Sequence, residues 1–429
     1  MTSPEGIGIR SGDPACSAES PARRDFLAAA FLAAGGALLA PTLSQAGTSI
    51  ASRFVFIILR GGLDGLAAVP PYGDPHYAGL RRELAIGAPG TQGGGLPLEG
   101  PFALHPSLRF LHESFAAREL VVLHAVASPY RERSHFDAQN VLESGLARPH
   151  ASQTGWLNRA LAALPSEALS GEELGVALGQ NVPLVMRGPA PVASWSPTQL
   201  EGPDEDTLQR IMDLYAADPL LSRRLVDALE ADELAGEAQS GESMPAPGRQ
   251  RRNRARGLAI SQDVIRVAAG FLQRDDGPRV AVLDSNGWDT HANQGAAQGP
   301  LALRLAALDA GLRTLKEQLG ATWRQTVVLA VTEFGRTAKE NGTGGTDHGT
   351  ASVAFLLGGA VAGGKVIADW PGLAERELHE GRDLKPTLDL RAVLKAVLAD
   401  HLGVPTRALE ESVFPDSADV RPLQGLLRA

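Results

Sequence analysis

Five short apolar runs along the chain predict strands. Residues 327–331 show no strict alternation of apolar and polar positions, which is typical of a strand buried on both faces of a parallel sheet. The other four runs cover residues 54–59, 120–125, 279–284 and 351–357. Stretches with helical spacing separate them, and this alternation favours an α/β fold.

Helices are predicted over residues 106–118, 134–144, 261–273, 301–319 and 387–402, with Gly145 as a C-terminal stop for the second of them. The Gly- and Pro-rich residues 88–101 predict a loop, and residues 184–186 suggest a hairpin. Residues 155–256 carry no readable motif, and their last part, 230–256, is polar and contains two prolines. We interpret 155–256 as an insertion that caps the active site.

The N-terminal residues 1–46 read as an export signal rather than as part of the fold. Arg23-Arg24 precedes Phe26-Leu27, a modest apolar run follows, and Ser44-Gln45-Ala46 provides a cleavage site. This leader resembles a twin-arginine signal, which predicts the twin-arginine export machinery as a partner and a periplasmic or secreted location. The alternative is an ordinary secretory signal with two chance arginines.

The composition narrows the functional classes further. The chain has 429 residues, a formal charge of −9 and one cysteine, Cys16, which lies in the leader. A negative chain is a poor partner for nucleic acid, and the mature protein, residues 47–429, has no thiol for chemistry or disulfides. It also has no apolar run long enough to span a bilayer.

Acidic and imidazole side chains collect at the predicted strand ends. They are Asp64, Asp289, His291, Glu333, Asp347 and His348. Ligand sites of open α/β sheets form outside the carboxyl ends of the strands, so these residues are candidates for one crevice. Their oxygen and nitrogen atoms suit a divalent metal, with Zn²⁺ favoured and Mn²⁺ or Mg²⁺ as alternatives.

The candidate nucleophile lies at the start of the helix 134–144. Ser134 would sit beside free backbone N–H groups that favour an anion, and His135 is the second candidate. The alternative is that Ser134 is only a helix N-cap, with Asp137 completing the capping pattern. If Ser134 or His135 is the nucleophile, Arg131, Arg133 or Arg60 would hold the remaining charge of the substrate.

Five motifs together resemble the DUF1501 family of exported proteins, within the alkaline phosphatase-like superfamily. They read RGGLDGL, SHFDAQ, GWDTH, TEFGRT and GTDHG, and the resemblance extends from Phe54 to about Leu402. It implies an alkaline phosphatase-like α/β fold, with a mostly parallel sheet, helices on both faces and an inserted cap.

The resemblance also implies roles for the candidate ligands. Asp64 and Glu333 correspond to one metal site, where Asp347 compensates for an imidazole that this chain lacks. Asp289, His291 and His348 correspond to the other. A second alignment places Asp347-His348 in the slot of the acid-imidazole pair and leaves Glu333 outside the ligand set.

The function expected on this basis is an exported metal-dependent hydrolase, with phosphoric esters as the favoured substrates. The sulfatase motif Cys- or Ser-x-Pro-x-Arg is absent from the sequence. The substrate would be a small-molecule or polymer ester. The alternative is a binding or assembly protein that keeps the fold without turnover.

Overall fold

The computed structural model describes residues 52–165, 173–179, 181–196 and 260–428, with scattered positions between 211 and 225. The predicted leader 1–46 and most of 197–259 lie outside the described residues. The described residues belong to one compact unit.

In the described residues, nine strands form the central sheet, and two more form a separate small ladder. In chain order the strands are β1 Arg53–Leu59, β2 Leu96–Pro97, β3 Ala103–Leu104, β4 Leu120–Ala127, β5 Gly175–Leu178, β6 Val192–Trp195, β7 Val280–Ser285, β8 Thr326–Val331, β9 Ser352–Leu357, β10 Lys365–Ile367 and β11 Leu388–Asp389. The order across the sheet is β10-β4-β9-β8-β1-β7-β5-β6, with β11 also paired to β4. Strands β2 and β3 pair with each other.

The α-helices are α1 Gly65–Ala68, α2 Tyr77–Arg81, α3 Arg109–Ala116, α4 His135–Ser144, α5 Trp156–Ala162, α6 Gln262–Gln273, α7 Pro300–Leu319, α8 Leu390–Asp400 and α9 Thr406–Ala408. Short 3₁₀ segments cover Arg82–Leu84, Leu184–Met186, Gly320–Gln325 and Glu375–Glu377, and a π-helical turn covers Leu409–Val413. In the part of the chain that the structure describes, no helix combines the length and the apolar character needed to cross a bilayer.

Helices cover both faces of the sheet, because successive side chains of a strand point to opposite faces. On β1, Val55 and Ile57 pack into a core shared with α3, α6 and α7, whereas Phe54 and Phe56 pack into a second core shared with α5 and α8. Every residue of β1 is buried. The predicted class, an α/β fold with a mostly parallel sheet and helices on both faces, is confirmed.

One strand, β9, runs against the others. It lies between β4 and β8 and pairs with both of them in antiparallel register. Its first residue, Ser352, pairs with Val126 near the carboxyl end of β4. The residues just before β9 therefore lie at the same edge of the sheet as the residues that follow the parallel strands.

The predicted hairpin at 184–186 is wrong. Leu184–Met186 forms a 3₁₀ turn, and the next strand, β6, pairs in parallel with β5 instead of folding back on the turn. Strands β5 and β6 and helix α5 all come from the segment 155–256 and belong to the sheet and its second core. The larger remainder of that segment lies outside the described residues, where a cap stays a prediction.

Candidate metal centre

Helix α4 delivers the first site residue. Ser134 has an extended backbone at the N-cap position, His135 is the first helical residue, and Gly145 ends the helix with a φ of 73°. A side chain at Gly145 would also come within 2.9 Å of Phe414 and Trp156, so glycine suits this end on both counts. The predicted stop at Gly145 is therefore observed, whereas the helix starts at His135, one residue later than predicted.

Three imidazoles and one carboxylate converge where the strands β7, β8 and β9 meet this helix. The Nε2 atom of His348 lies 2.9 Å from Nε2 of His135 and 2.9 Å from Nε2 of His291. Asp289 Oδ1 lies 3.0 Å from His291 Nε2 and 3.3 Å from His348 Nε2. The structure thus brings side-chain atoms of His135, Asp289 and His348 within 4.8 Å of one another, with His291 beside Asp289 and His348.

The other ring nitrogen of each imidazole is held by an oxygen. His135 Nδ1 lies 2.8 Å from the carboxylate of Glu333, and His291 Nδ1 lies 3.1 Å from the carboxylate of Asp347. His348 Nδ1 lies 3.0 Å from the backbone carbonyl of Arg133. Since carboxylate and carbonyl oxygens only accept hydrogen bonds, each Nδ1 carries a proton.

When the rings are neutral, this assignment leaves three Nε2 lone pairs, those of His135 and His291 directed toward His348 and that of His291 also toward the carboxylate of Asp289. Such an arrangement is repulsive by itself, and a cation at the centre relieves it. Metal-bound histidines have the same organisation, because their other N–H donates to a carboxylate or carbonyl. Burial lowers the pKa of His348, which keeps that ring neutral and its Nε2 free of a proton.

Glu333 is wholly buried and positions His135 rather than joining the converging atoms. Its Oε1 accepts from Gly61 N at 2.8 Å and from Gln139 Nε2 at 3.1 Å, and its Oε2 accepts from Thr332 Oγ1 at 2.9 Å. Burial raises the pKa of Glu333, but the hydrogen bond from His135 and the other donors outweigh it and lower the net pKa. This geometry matches the alignment that leaves Glu333 outside the ligand set.

Asp347 has the matching role for His291. Its Oδ1 also accepts from Asn341 Nδ2 at 3.1 Å. The hydrogen bond from Asn341, followed by the one from His291, lowers the pKa of Asp347. The two residues of the predicted acid-imidazole pair therefore have different roles. Asp347 orients His291, and His348 is itself a candidate ligand.

Asp289 is ionised because of a guanidinium that the sequence analysis did not single out. Burial raises its pKa, but the hydrogen bond and ion pair with Arg336 outweigh burial and lower it. Arg336 is itself buried and donates to the carbonyls of Gly61, Gly62, Thr346 and Trp288 at 2.6–3.2 Å. It ties the turn after β1 to both ligand-bearing loops.

Asp64 does not contribute to the converging atoms. It caps α1, is wholly buried, and forms a bidentate ion pair with Arg81. Its Oδ2 also accepts from Gln294 Nε2 at 2.7 Å. Since its oxygens already have these partners, the structure assigns Asp64 an anchoring role in place of the predicted ligand role.

Gln294 connects this anchor to the ligand loops. Its Oε1 accepts from Thr290 Oγ1 at 2.7 Å and from Thr346 Oγ1 at 2.9 Å. Thr290 directly precedes His291, and Thr346 directly precedes Asp347. No sequence motif predicts this buried glutamine, apart from its position four residues after Thr290.

Ser134 and Arg131, two of the predicted catalytic residues, point elsewhere. The side chain of Ser134 hydrogen-bonds Tyr130, and Arg131 donates to the carbonyls of Ser128 and Tyr130. The third predicted catalytic residue, His135, is the one that reaches the converging atoms. A helical residue points about 100° away from its neighbour, so only one of Ser134 and His135 can do so.

The converging groups are open to solvent on one side. The exposed fraction of the side chain is 23% for His135, 25% for His348, 43% for Asp289 and 45% for His291. Imidazole nitrogens and carboxylate oxygens suit Zn²⁺, and the exposed fractions leave this group accessible from solvent. The residues present therefore fit a single divalent ion.

Several solved structures are similar to this chain at low sequence identity. A 2-O GAG sulfatase is 13% identical, with 88% of this chain and 76% of that chain covered at a TM-score of 0.37. A phosphonate monoester hydrolase of Agrobacterium radiobacter is 11% identical, with 82% and 74% covered at 0.34. An alkaline phosphatase from the Antarctic bacterium TAB5 is 13% identical, with 74% and 95% covered at 0.31.

No curated protein has a matching sequence. The profile of the family described as "Protein of unknown function (DUF1501)" matches residues 121–413, which is more than half of the chain and includes all four converging side chains. The chain therefore belongs to the DUF1501 family.

Proposed function

We propose that this protein is an exported hydrolase of phosphoric esters that works with one divalent ion, preferably Zn²⁺, held by His135, His291, His348 and Asp289. The observation that carries the proposal is the convergence of three Nε2 lone pairs whose Nδ1 protons are all committed to oxygen partners. Neutral imidazoles in that arrangement favour a cation between them.

The local charge supports the same conclusion. Asp289, Glu333 and Asp347 are carboxylates of lowered pKa, and Arg336 is the guanidinium among them. Three carboxylates against one guanidinium leave two negative charges, which a divalent cation balances. When bound, such an ion polarises a phosphoryl oxygen and promotes ionisation of water.

Water is the attacking group in this proposal. Ser134 is turned toward Tyr130, and the hydroxyls of Thr290 and Thr332 are held by Gln294, Glu333 and the Leu59 carbonyl. The oxygen of water bonds to phosphorus, the bond from phosphorus to the alcohol oxygen breaks, and a proton from the water ends on the leaving alcohol.

A non-catalytic metal-binding protein is the second candidate, and one observation favours it. The three arginines predicted to hold substrate charge are all engaged. Arg60 pairs with Glu143 and Asp284, Arg133 pairs with Glu380 and Asp383, and Arg131 binds backbone carbonyls. Catalysis therefore depends on the ion to neutralise the ester.

Two measurements on the purified mature protein test the proposal. Metal content by mass spectrometry should be about one ion per chain, lost in His348→Ala and kept in the matched control His150→Ala, whose ring binds Asp137 outside the site. Aryl phosphate monoesters, phosphodiesters and sulfate esters should then be assayed with added Zn²⁺ or Mn²⁺. Metal binding without turnover of any ester would favour the non-catalytic candidate, and equal metal content in both variants would refute the site.

Export through the twin-arginine machinery is part of the proposal and rests on the leader. Arg23-Arg24 with Phe26-Leu27, followed by a cleavage site at Ala46, supports it. A metal-dependent hydrolase placed outside the cytoplasm would act on esters in the periplasm or beyond the cell.

A further inference from the structure

An open groove of about 370 Å³ runs alongside the candidate metal centre. Its walls come from α4, from the segment that follows β5, and from the carboxyl ends of β1 and β7. Gln139 connects the groove to the candidate metal centre. It lines the groove and donates to Glu333, the carboxylate that holds His135. Gln139 lies about one helical turn, ~5.4 Å along the axis, from His135.

The floor of the groove is charged but internally balanced. Arg60 is bound by Glu143 at 2.7 Å and by Asp284 at 3.0 Å, and it donates to Gln139 Oε1 at 3.1 Å. Arg187 adds a second guanidinium at the rim, anchored by its Nε to the Val182 carbonyl. Two guanidinium groups against two carboxylates give the lining no net charge, so the groove favours neither an anionic nor a cationic ligand.

The groove offers many hydrogen-bonding groups of planar geometry. Asn140, Asn181 and Arg187 line it beside the mutually bonded side chains of the floor. Amides, carboxylates and guanidinium groups can each bind two neighbouring hydroxyls, as donors, as acceptors or as both. An uncharged ligand with several hydroxyl groups would use these groups well.

Phe136 adds an apolar platform at the mouth. Its side chain is 85% exposed, the largest exposure among the big apolar residues that the structure describes. It directly follows His135 in α4 and lines the groove. Burying this ring against the apolar face of a ligand would remove a large contact area from water.

We infer that this groove binds the sugar part of a carbohydrate ester, with the C–H face of the ring on Phe136 and its hydroxyls on the polar walls. That the bound sugar is part of an ester rests on the proposed function. Sugar binding itself rests only on the residues that line the groove. The alcohol part of the ester is then an uncharged sugar ring.

Saturation-transfer NMR on the mature protein tests the inference, with uncharged oligosaccharides of glucose, galactose, mannose and xylose as probes. At least one should bind the wild type, and Phe136→Ala and Arg187→Ala should each weaken binding by about tenfold. Both side chains are exposed, so neither change threatens the fold. The matched control is Leu303→Ala, which removes a 72% exposed apolar side chain outside the groove and should bind like wild type.

Three results would overturn the inference: no oligosaccharide binds, Phe136→Ala binds as well as wild type, or adenosine monophosphate or phosphocholine occupies the groove in place of sugars. The His348→Ala variant separates this inference from the proposed function. It should lose metal and hydrolysis yet keep sugar binding. Sugar binding by a protein that hydrolyses no ester would leave the groove assignment standing while the hydrolase proposal fails.

Discussion

Replacing Gln294 by methionine tests how the ligand loops are held in place. The side chain is wholly buried and makes three hydrogen bonds, one to the carboxylate of Asp64 and two from the hydroxyls of Thr290 and Thr346. Methionine has a similar length and fills the space, but it cannot donate to the carboxylate and its thioether accepts only weakly. The change thus removes polar contacts with little change in volume.

The expected size of the effect follows from those contacts. A hydrogen bond to a charged group contributes about 1.5–3 kcal/mol, and a neutral one about 1 kcal/mol. We therefore expect Gln294→Met to lower the free energy of unfolding by about 3–5 kcal/mol. Because Thr290 and Thr346 precede His291 and Asp347, we also expect metal affinity to fall by about 10–100-fold, as for other partners that orient metal ligands.

Urea denaturation of the metal-free protein measures the first quantity, and competition with a chelator measures the second. Gln298→Met, four residues along the same loop at an exposed position, is the control and should match wild type in both. A loss of less than 1 kcal/mol in stability with unchanged metal affinity would refute the idea that Gln294 holds the two loops.

Three further predictions concern different parts of the molecule. His135→Ala should lose the metal and Ser134→Ala should retain it by mass spectrometry, and the opposite result would place the serine in the site. Burial lowers the pKa of His124 to about 4. In the unfolded chain the pKa of this side chain is about 6.5, so below that pH the unfolded chain binds a proton that the folded protein excludes. The stability present at neutral pH is therefore lost as the pH falls toward 4. The contribution of His124 to this loss is about 2 kcal/mol at pH 5. In urea denaturation at pH 7 and pH 5, a His124→Gln variant should lack that contribution to the change in unfolding free energy. A loss as large in the variant as in wild type would contradict the lowered pKa of His124. Arg23→Lys with Arg24→Lys should hold the precursor in the cytoplasm, whereas normal appearance in the periplasm would indicate the general secretory route.

The strands and the helix starts were predictable because their signals are local. The five apolar runs became strands of the sheet, and Ser261 caps α6 by accepting from Asp263 N and Val264 N. Burial of a strand on both faces leaves a continuous apolar run whichever way the strand points. The antiparallel direction of β9, which brings His348 to the site, was therefore not readable from its residues.

The candidate site was predictable in part, for a related reason. Residue type and position at strand ends identified Asp289, His291 and His348, but ligand and supporting roles depend on partners distant in the chain. Asp64 accepts a hydrogen bond from Gln294, 230 residues away, and no local sequence pattern predicts this contact. The choice between Ser134 and His135 depended on a single helical step, which sequence patterns do not resolve.

The antiparallel insertion of β9 has a consequence for the order of assembly. The candidate ligands come from residues 135, 289 and 348, with 291 beside them, and His348 reaches the others once β9 has paired between β4 and β8. A chain growing from its N-terminus can thus present the full set of ligands only late in synthesis, after the central strands have found one another. If the leader exports the protein already folded, the ion is selected from the pool in the compartment of synthesis, and the metal supply at the destination does not decide its identity.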